Sequence, residues 1–154
     1  MVGLRAKQKA QRETRILDSA LSVFRARGFD AARMEQIAEM AELSTGTLYN
    51  YFPTKGDLLV AIVALETVHT LDAGNAIISN PPRDANEAVL ALARAWYEHS
   101  FRLLDRRLWR HAFAMMMERP RSQSSVRFAQ NDQLLQDQAA ALITALQAQG
   151  NARA

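Results

Sequence analysis

Residues 28–59 read GFDAARMEQIAEMAELSTGTLYNYFPTKGDLL and hold two short helical patterns separated by a tight turn. The first predicts an amphipathic helix, because its apolar residues recur at intervals of three and four: Met34, Ile37, Ala38 and Ala41. Ser44 is placed to cap a second helix that ends near Phe52. The small side chain of Ala38 allows the two helices to cross closely. Residues 34–52 therefore have the pattern of a helix-turn-helix.

The start of the second helix carries the residue types that a helix needs when it enters the major groove of DNA. Residues 45–47 form its first turn, and Gly46 lacks a side chain that would hold the backbone away from a phosphate. Tyr49, Asn50 and Tyr51 lie one turn further on and are long enough to reach phosphate oxygens or bases. This pattern indicates contacts with double-stranded DNA.

The rest of the chain also predicts helices. An amphipathic stripe runs from Gln11 to Arg27, and Gly28 follows it as a typical helix-ending residue. Thr54 and Asp57 have the spacing of a capping box at the start of a fourth helix. Three more helices are expected beyond the break at Pro81 and Pro82: one from about Ala85, one before Pro120 and one from Ser122 to Ala148.

The composition favours an all-α protein. The apolar residues are mostly 27 Ala and 18 Leu against 7 Val and 6 Ile, so strand formers are scarce. With 49% hydrophobic and 23% charged residues, the 154-residue chain is excluded from the class of disordered proteins. It has no cysteine, which excludes disulfides, thiolate metal sites and a cysteine nucleophile.

The longest unbroken apolar run, residues 58–65, is too short to cross a membrane as a helix, which takes roughly 20 residues. The basic N-terminus is not followed by the apolar stretch of a secretory signal. We therefore expect a cytoplasmic protein with no membrane partner. Because the run is apolar on all sides, its helix is expected to lie between two halves of the protein.

Basic residues cluster in two segments. Residues 1–15 carry a net charge of +4, and residues 102–127 carry +5, although the whole chain is only +3. Beside a helix-turn-helix, the first segment is suited to lie along DNA phosphates. The second leaves an alternative function open, a non-catalytic interaction module that binds an acidic protein or RNA through residues 102–127.

The segment from Gln11 to Ile62 resembles the signature of the TetR (tetracycline repressor) family of bacterial transcriptional regulators, because it meets the spacing IA..A..S.GTLY.YF..K..L without a gap. The resemblance implies an all-helical homodimer. Its three-helix DNA-binding domain, residues 1–53, would bind a palindromic operator. A helical effector-binding and dimerisation domain, residues 54–154, would release the DNA when a small molecule binds.

The resemblance also implies which residues contact DNA. The first turn of the second helix would line the groove, the two tyrosines and Lys55 would hold phosphates, and Asn50 would contribute to sequence reading. Arg33 stands where a capping hydroxyl is usual and is expected to bind a phosphate directly. The expected DNA-binding residues are Arg33, Ser44, Thr45, Gly46, Thr47, Tyr49, Asn50, Tyr51 and Lys55.

The effector is expected to be small and mostly apolar, because methionine and aromatic side chains make adaptable pocket walls. The expected pocket residues are Leu65, His69, Trp96, His99, Phe113 and Met116. No cofactor and no metal site are expected. Catalysis is not expected either, because the sequence has no nucleophile elbow, phosphate-binding loop or paired carboxylates.

The chain departs from the family pattern at two further points. Glu42 stands where the family often has glycine, which predicts mild strain or a different turn. Relatives usually continue for several tens of residues beyond Ala154, in helices that commonly form the dimer. Two alternatives follow: either these helices are missing from this chain or its dimer is built differently.

Overall fold

The computed structural model describes residues 3–151, and seven helices form this part of the chain without a strand. They are α1 (Leu4–Arg27), α2 (Met34–Met40), α3 (Thr45–Tyr51), α4 (Lys55–Ser79), α5 (Ala85–Ser100), α6 (Arg106–Glu118) and α7 (Gln123–Ala148). The predicted all-α class is confirmed. The first helix begins earlier than the predicted Gln11, because the exposed basic residues before it contain no helix breaker.

Short polar side chains begin most of these helices. The predicted caps are confirmed at α3 and α4, where Ser44 and Thr54 accept hydrogen bonds from the amides of Thr47 and Asp57. Side chains of the same kind cap the three remaining helices of the C-terminal half: Asp84, Asp105 and Ser122. Each cap satisfies an amide that would otherwise lack a partner.

Helix α4 is the centre of the molecule. Residues 58–64 are each at most 3% exposed, which confirms that the apolar run is buried on all sides. On one side α4 packs against α1, and on its other sides it packs against α5, α6 and α7. One hydrophobic cluster joins α1 through α4 with α6, so the core continues across Pro53, the expected domain boundary. Helix α4 therefore shares one core with the helix-turn-helix and packs directly against α1 and the C-terminal helices.

A buried glutamine ties α4, α5 and α7 together. Gln138 of α7 donates hydrogen bonds to the carbonyl oxygen of Leu71 at 2.6 Å and to Oδ1 of Asn75 at 2.8 Å, both in α4. Its Oε1 accepts a hydrogen bond from Nε1 of Trp96 in α5 at 3.1 Å. Gly74 makes room for this carboxamide, because an added Cβ would lie 2.9 Å from Cδ of Gln138.

The face of α5 that packs against the core is narrow. Val89 is 51% exposed and Ala93 is also exposed, so neither faces the core. Ala88 and Leu92 are buried instead, in a small cluster with Leu142 and Leu146 of α7. The small side chain of Ala88 lets the two helices approach closely, which sets this register.

No helix within residues 3–151 has the length and hydropathy of a membrane span.

Candidate nucleic-acid interface

The first turn of α3 is held in shape by its own side chains. Oγ of Ser44 accepts a hydrogen bond from the amide of Thr47 at 3.1 Å and lies 2.8 Å from Oγ1 of the same residue. Leu48 is fully buried and anchors α3 to the core. Gly46 is exposed, and no atom lies within 4 Å of the position that a Cβ would occupy. The start of α3 is therefore a rigid and open surface.

The longer polar side chains follow on the same helix. Tyr49 is 45% exposed and Asn50 is also exposed, whereas Tyr51 is half-buried and packs against the core. Thr45 is half-buried. Tyr49 and Asn50 thus present free polar groups beyond the first turn, while the ring of Tyr51 has a structural contact as well. The roles predicted for these residues in DNA binding stay predictions.

The turn between α2 and α3 depends on a left-handed residue. Glu42 has φ of 54°, the one positive value at a non-glycine position in residues 3–151. Its amide donates to the carbonyl oxygen of Glu39 at 3.0 Å, and the next amide, of Leu43, donates to that of Ala38 at 2.9 Å. These two bonds form the Schellman motif that favours glycine in the left-handed position. Glu42 therefore adopts a backbone conformation that is strained for a residue with a side chain.

Lys55 makes internal contacts in this structure. Its Nζ donates hydrogen bonds to the carbonyl oxygens of Phe29, Asp30 and Ala32 at 2.6, 3.1 and 3.1 Å. An ammonium group has three hydrogens, and these bonds use all of them. Lys55 therefore ties the start of α4 to the loop between α1 and α2, and the phosphate contact expected of it stays a prediction.

Other cations remain available around α3. Arg33 precedes α2, is exposed, and engages only its backbone amide, which donates to Oε1 of Gln36 at 3.2 Å. The basic residues in the first half of α1 are also exposed: Arg5, Lys7, Lys9 and Arg12. Arg15 lies 3.6 Å from the carboxylate of Glu42, in an ion pair open to solvent. Of these residues, Lys9 lines one cleft together with Asn50 and Tyr51, which places an exposed cation near the end of α3.

The structure does not bring the six expected pocket residues together. Trp96 and His99 are half-buried, and Nδ1 of His99 lies 2.8 Å from the carbonyl oxygen of Ala95 in its own helix. Three others have no common environment, because His69 is exposed, Phe113 is 51% exposed and Met116 is buried in the core. Leu65 is half-buried. None of the six lines a principal cleft of residues 3–151.

Two clefts lie instead where α1–α3 meet the C-terminal helices. One, of about 350 Å³, lies between Tyr51, the first half of α1 and the loop between α6 and α7. The other, of about 550 Å³, lies between the end of α1 and the loop between α5 and α6. Both volumes are in the range of small-molecule sites.

Charged groups at this junction make contacts that the sequence did not reveal. Asp57 is buried, and its Oδ2 accepts hydrogen bonds from Thr54 at 2.7 Å and from Arg119 at 2.6 Å. Arg127 pairs with Glu13 of α1 at 2.7 Å. Two arginines of the 102–127 segment are thus engaged within the chain, which leaves fewer for the alternative function in binding an acidic protein or RNA.

A further charged group, Glu66, is fully buried in the middle of α4. Its Oε1 accepts the amide hydrogen of Leu103 at 2.7 Å, and its Oε2 has no hydrogen-bond partner in the described residues. Burial raises the pKa of Glu66 from 4.5 to about 7, although the Leu103 amide and the charges of Arg102 and Arg25 act against this. Glu66 directly follows the apolar run of residues 58–65, and this was the signal that the sequence offered. No group of three potential metal ligands is found among residues 3–151.

The segment that carries this surface is similar to known regulators. Residues 16–62 match the family model described as bacterial regulatory proteins, tetR family. The HTH-type transcriptional repressor KstR of Rhodococcus jostii is 38% identical over 79 residues, which are 51% of this chain and 35% of that protein. The HTH-type transcriptional regulator RutR of Escherichia coli is 39% identical over 61 residues, 40% of this chain and 29% of that protein. The matched part spans about a third of these curated relatives.

Solved structures extend the likeness beyond the first four helices. FadR of Thermus thermophilus, a TetR-family repressor crystallised with lauroyl-CoA, has a TM-score of 0.64 and 25% identity, and the match covers 92% of this chain and 71% of that one. PfmR of the same organism has a TM-score of 0.59 and 20% identity, with 90% and 74% covered. The C-terminal helices therefore have the same arrangement as those of known regulators.

Proposed function

The chain belongs to the TetR family of bacterial regulatory proteins, and from that premise we propose that it is a transcriptional repressor that binds a palindromic operator as a homodimer. A small effector, expected to be mostly apolar, releases it from the DNA. The relatives named as repressors or regulators support this proposal, although each match covers only part of their length.

The observation that carries the proposal is the open first turn of α3. Ser44 fixes its geometry, Leu48 anchors it from below, and the exposed Gly46 lets the backbone approach DNA closely. The amides at the start of a helix favour phosphate, and polar side chains beyond them read base edges. Tyr49 and Asn50 are the exposed side chains in the position to do so.

Two copies are required because one short helix reads only a few base pairs. A seven-residue helix such as α3 gives little discrimination against competing genomic DNA. Two-fold symmetry doubles the contacts, and it places the half-sites about a whole number of helical turns apart. We therefore expect an inverted-repeat operator.

The test begins with capture of genomic fragments by the purified protein at defined salt, followed by sequencing. An inverted repeat shared by the captured fragments is the expected result. Gel-shift titration with Thr45→Ala and Asn50→Ala then checks that the preferred bases change. Captured RNA in place of DNA, or capture that these variants leave unaltered, would favour the interaction module of residues 102–127.

A further inference from the structure

The larger cleft of about 550 Å³ has an unusual charge balance. Its wall contains four arginines and one carboxylate, with His111 beside them: Arg25, Arg27, Arg102, Arg107 and Asp105. Its floor is apolar and includes Phe24, which is 1% exposed, and Leu104, which is also 1% exposed. An aromatic side chain, Phe101, stands at its rim. The cleft is therefore a cationic site over an apolar floor.

The single carboxylate does not neutralise the arginines. Oδ1 of Asp105 accepts the amide hydrogens of Arg107 and Leu108, both at 2.9 Å, because it caps α6. In the described part of the chain, no hydrogen bond or ion pair engages the guanidinium groups of Arg27, Arg102 and Arg107. Three planar cations thus face the same cleft with their donors free.

The fourth arginine is held in place by backbone. Nε and Nη2 of Arg25 donate to the carbonyl oxygen of Leu103 at 3.0 and 2.8 Å. This fixes a guanidinium of α1 against the loop between α5 and α6. A guanidinium presents its donors in a rigid fork that matches phosphate and carboxylate oxygens. The cleft therefore combines a preorganised cation with three unpaired ones.

We propose that this cleft binds a compact small molecule with two or more negative charges, as phosphoryl or carboxylate groups. The volume suits such a ligand. Arg27, Arg102 and Arg107 supply the free donors. Phe101 at the rim allows the ligand to carry an apolar extension.

The site also touches the helices on both sides of the domain junction. Leu103 accepts hydrogen bonds from Arg25 of α1, and its amide donates to Glu66 of α4 at 2.7 Å. An anion held between Arg25 and the arginines of the loop between α5 and α6 therefore changes how firmly α1 is held against that loop. Such a ligand controls DNA binding, and this second step rests on the proposed function, whereas binding of the anion does not.

Calorimetry of the full chain with inorganic pyrophosphate tests the site, and citrate in a parallel titration separates phosphoryl from carboxylate ligands. Sodium chloride keeps the ionic strength constant. We expect saturable binding with one ligand per chain, weakened about tenfold or more by Arg107→Gln, since one charge-assisted hydrogen bond is worth about that much. Arg94→Gln removes an exposed arginine of α5 outside the cleft and is expected to change the affinity by less than about twofold.

Absence of saturable binding by either anion, or equal losses of affinity in both variants, would overturn the proposal.

A second experiment measures affinity for a captured DNA fragment with and without pyrophosphate. We expect the anion to weaken DNA binding by the wild type and to leave Arg107→Gln unchanged. A variant that binds DNA weakly without any anion would show that the cleft contacts DNA and would contradict the ligand site. Failure of the wild type to bind DNA would reject the proposed function, while the calorimetry would still decide the site.

Discussion

The ammonium of Lys55 lies 2.6 Å from the carbonyl oxygen of Phe29 and 4.6 Å from the centroid of its ring. Two more carbonyl oxygens of the same loop complete the contacts of this cation. The loop leads from α1 into the helix-turn-helix, and Lys55 begins α4. This one side chain therefore ties the loop before the helix-turn-helix to the start of the central helix α4.

The variant Lys55→Ala is expected to lower the free energy of unfolding by about 2 kcal/mol, because hydrogen bonds made by a charged group are lost together. Urea unfolding followed by circular dichroism measures the change. Lys7→Ala, at an exposed position of α1, is the control and should alter stability little. The salt dependence of DNA binding provides a second test. It should keep its slope in Lys55→Ala, whereas a slope reduced by one phosphate would contradict the internal role of this lysine.

Glycine at position 42 should stabilise the protein. The residue has φ of 54° in a Schellman turn, where a side chain is strained and glycine is not. We expect Glu42→Gly to raise the free energy of unfolding by up to about 1 kcal/mol. The ion pair with Arg15 that this variant loses is exposed and contributes little.

The matched control places glycine three residues earlier. Glu39 lies within α2 with helical backbone, so Glu39→Gly is expected to destabilise by about 1 kcal/mol. Thermal unfolding of both variants under one condition gives the comparison. Equal destabilisation by the two glycines would show that the turn at Glu42 is not strained.

Interactions within one turn of helix could be predicted from the sequence. Ser44 and Thr54 each cap the amide three residues ahead, so the residue types and their spacing were sufficient. The fold class followed in the same way, from helix-forming composition and periodic apolar residues. The exposed turn of α3 was also predictable, since its function restricts which residues can stand there.

Contacts between distant parts of the chain could not be predicted. Lys55 meets a loop 26 residues away, and Gln138 meets Leu71 at a separation of 67 residues. Neither residue belongs to a periodic pattern that would reveal its partner. The dispersal of the six residues expected to line a pocket could not be predicted for the same reason, because the direction of Phe113 depends on how α6 rotates when it packs against α4.

Glycine at position 74 is expected to be required for packing, whereas glycine at position 46 is not. Gly74→Ala would place a methyl group against the carboxamide of Gln138 and disturb its buried hydrogen bonds. A loss of about 1 to 3 kcal/mol in the free energy of unfolding follows. Gly46→Ala meets open space in a helix and should stabilise by about 0.5 to 1 kcal/mol. Chemical unfolding of both variants measures these changes. A Gly74→Ala variant as stable as the wild type would contradict the close contact between α4 and the carboxamide of Gln138.

The hydroxyl of Tyr49 is expected to contact a DNA phosphate. Tyr49→Phe removes that donor alone, so affinity should fall about fivefold for operator and unrelated DNA alike, which corresponds to about 1 kcal/mol. Fluorescence anisotropy titrations with both DNAs measure the effect. Tyr97→Phe is the matched control, because Tyr97 is 60% exposed on α5. The assignment of Tyr49 to the interface would be withdrawn if the two variants bound DNA equally well.

Glu66 should make the stability of the protein depend on pH in an unusual direction. Burial raises its pKa from 4.5 to about 7, so between these values the folded protein holds a proton that the unfolded chain has released. The folded state then binds more protons than the unfolded state, and the free energy of unfolding falls as pH rises through this window. Above pH 7 the carboxylate is ionised in both states, and the stability that the protonated carboxyl allowed at low pH is fully lost.

The variant Glu66→Gln removes this titration and keeps the shape of the side chain, and its Oε1 can still accept the amide hydrogen of Leu103. We expect the variant and the wild type to be about equally stable near pH 4.5, and the variant to be more stable above pH 7. The pKa difference sets an upper limit of about 3 kcal/mol on that gain.

The control variant Asp72→Asn removes an exposed negative charge from the same helix and separates the effect of burial from that of charge alone. Urea unfolding at a series of pH values is the measurement. Parallel profiles for wild type and Glu66→Gln would mean that the buried carboxylate does not take up the proton, because only a group with different pKa values in the two states can change the slope.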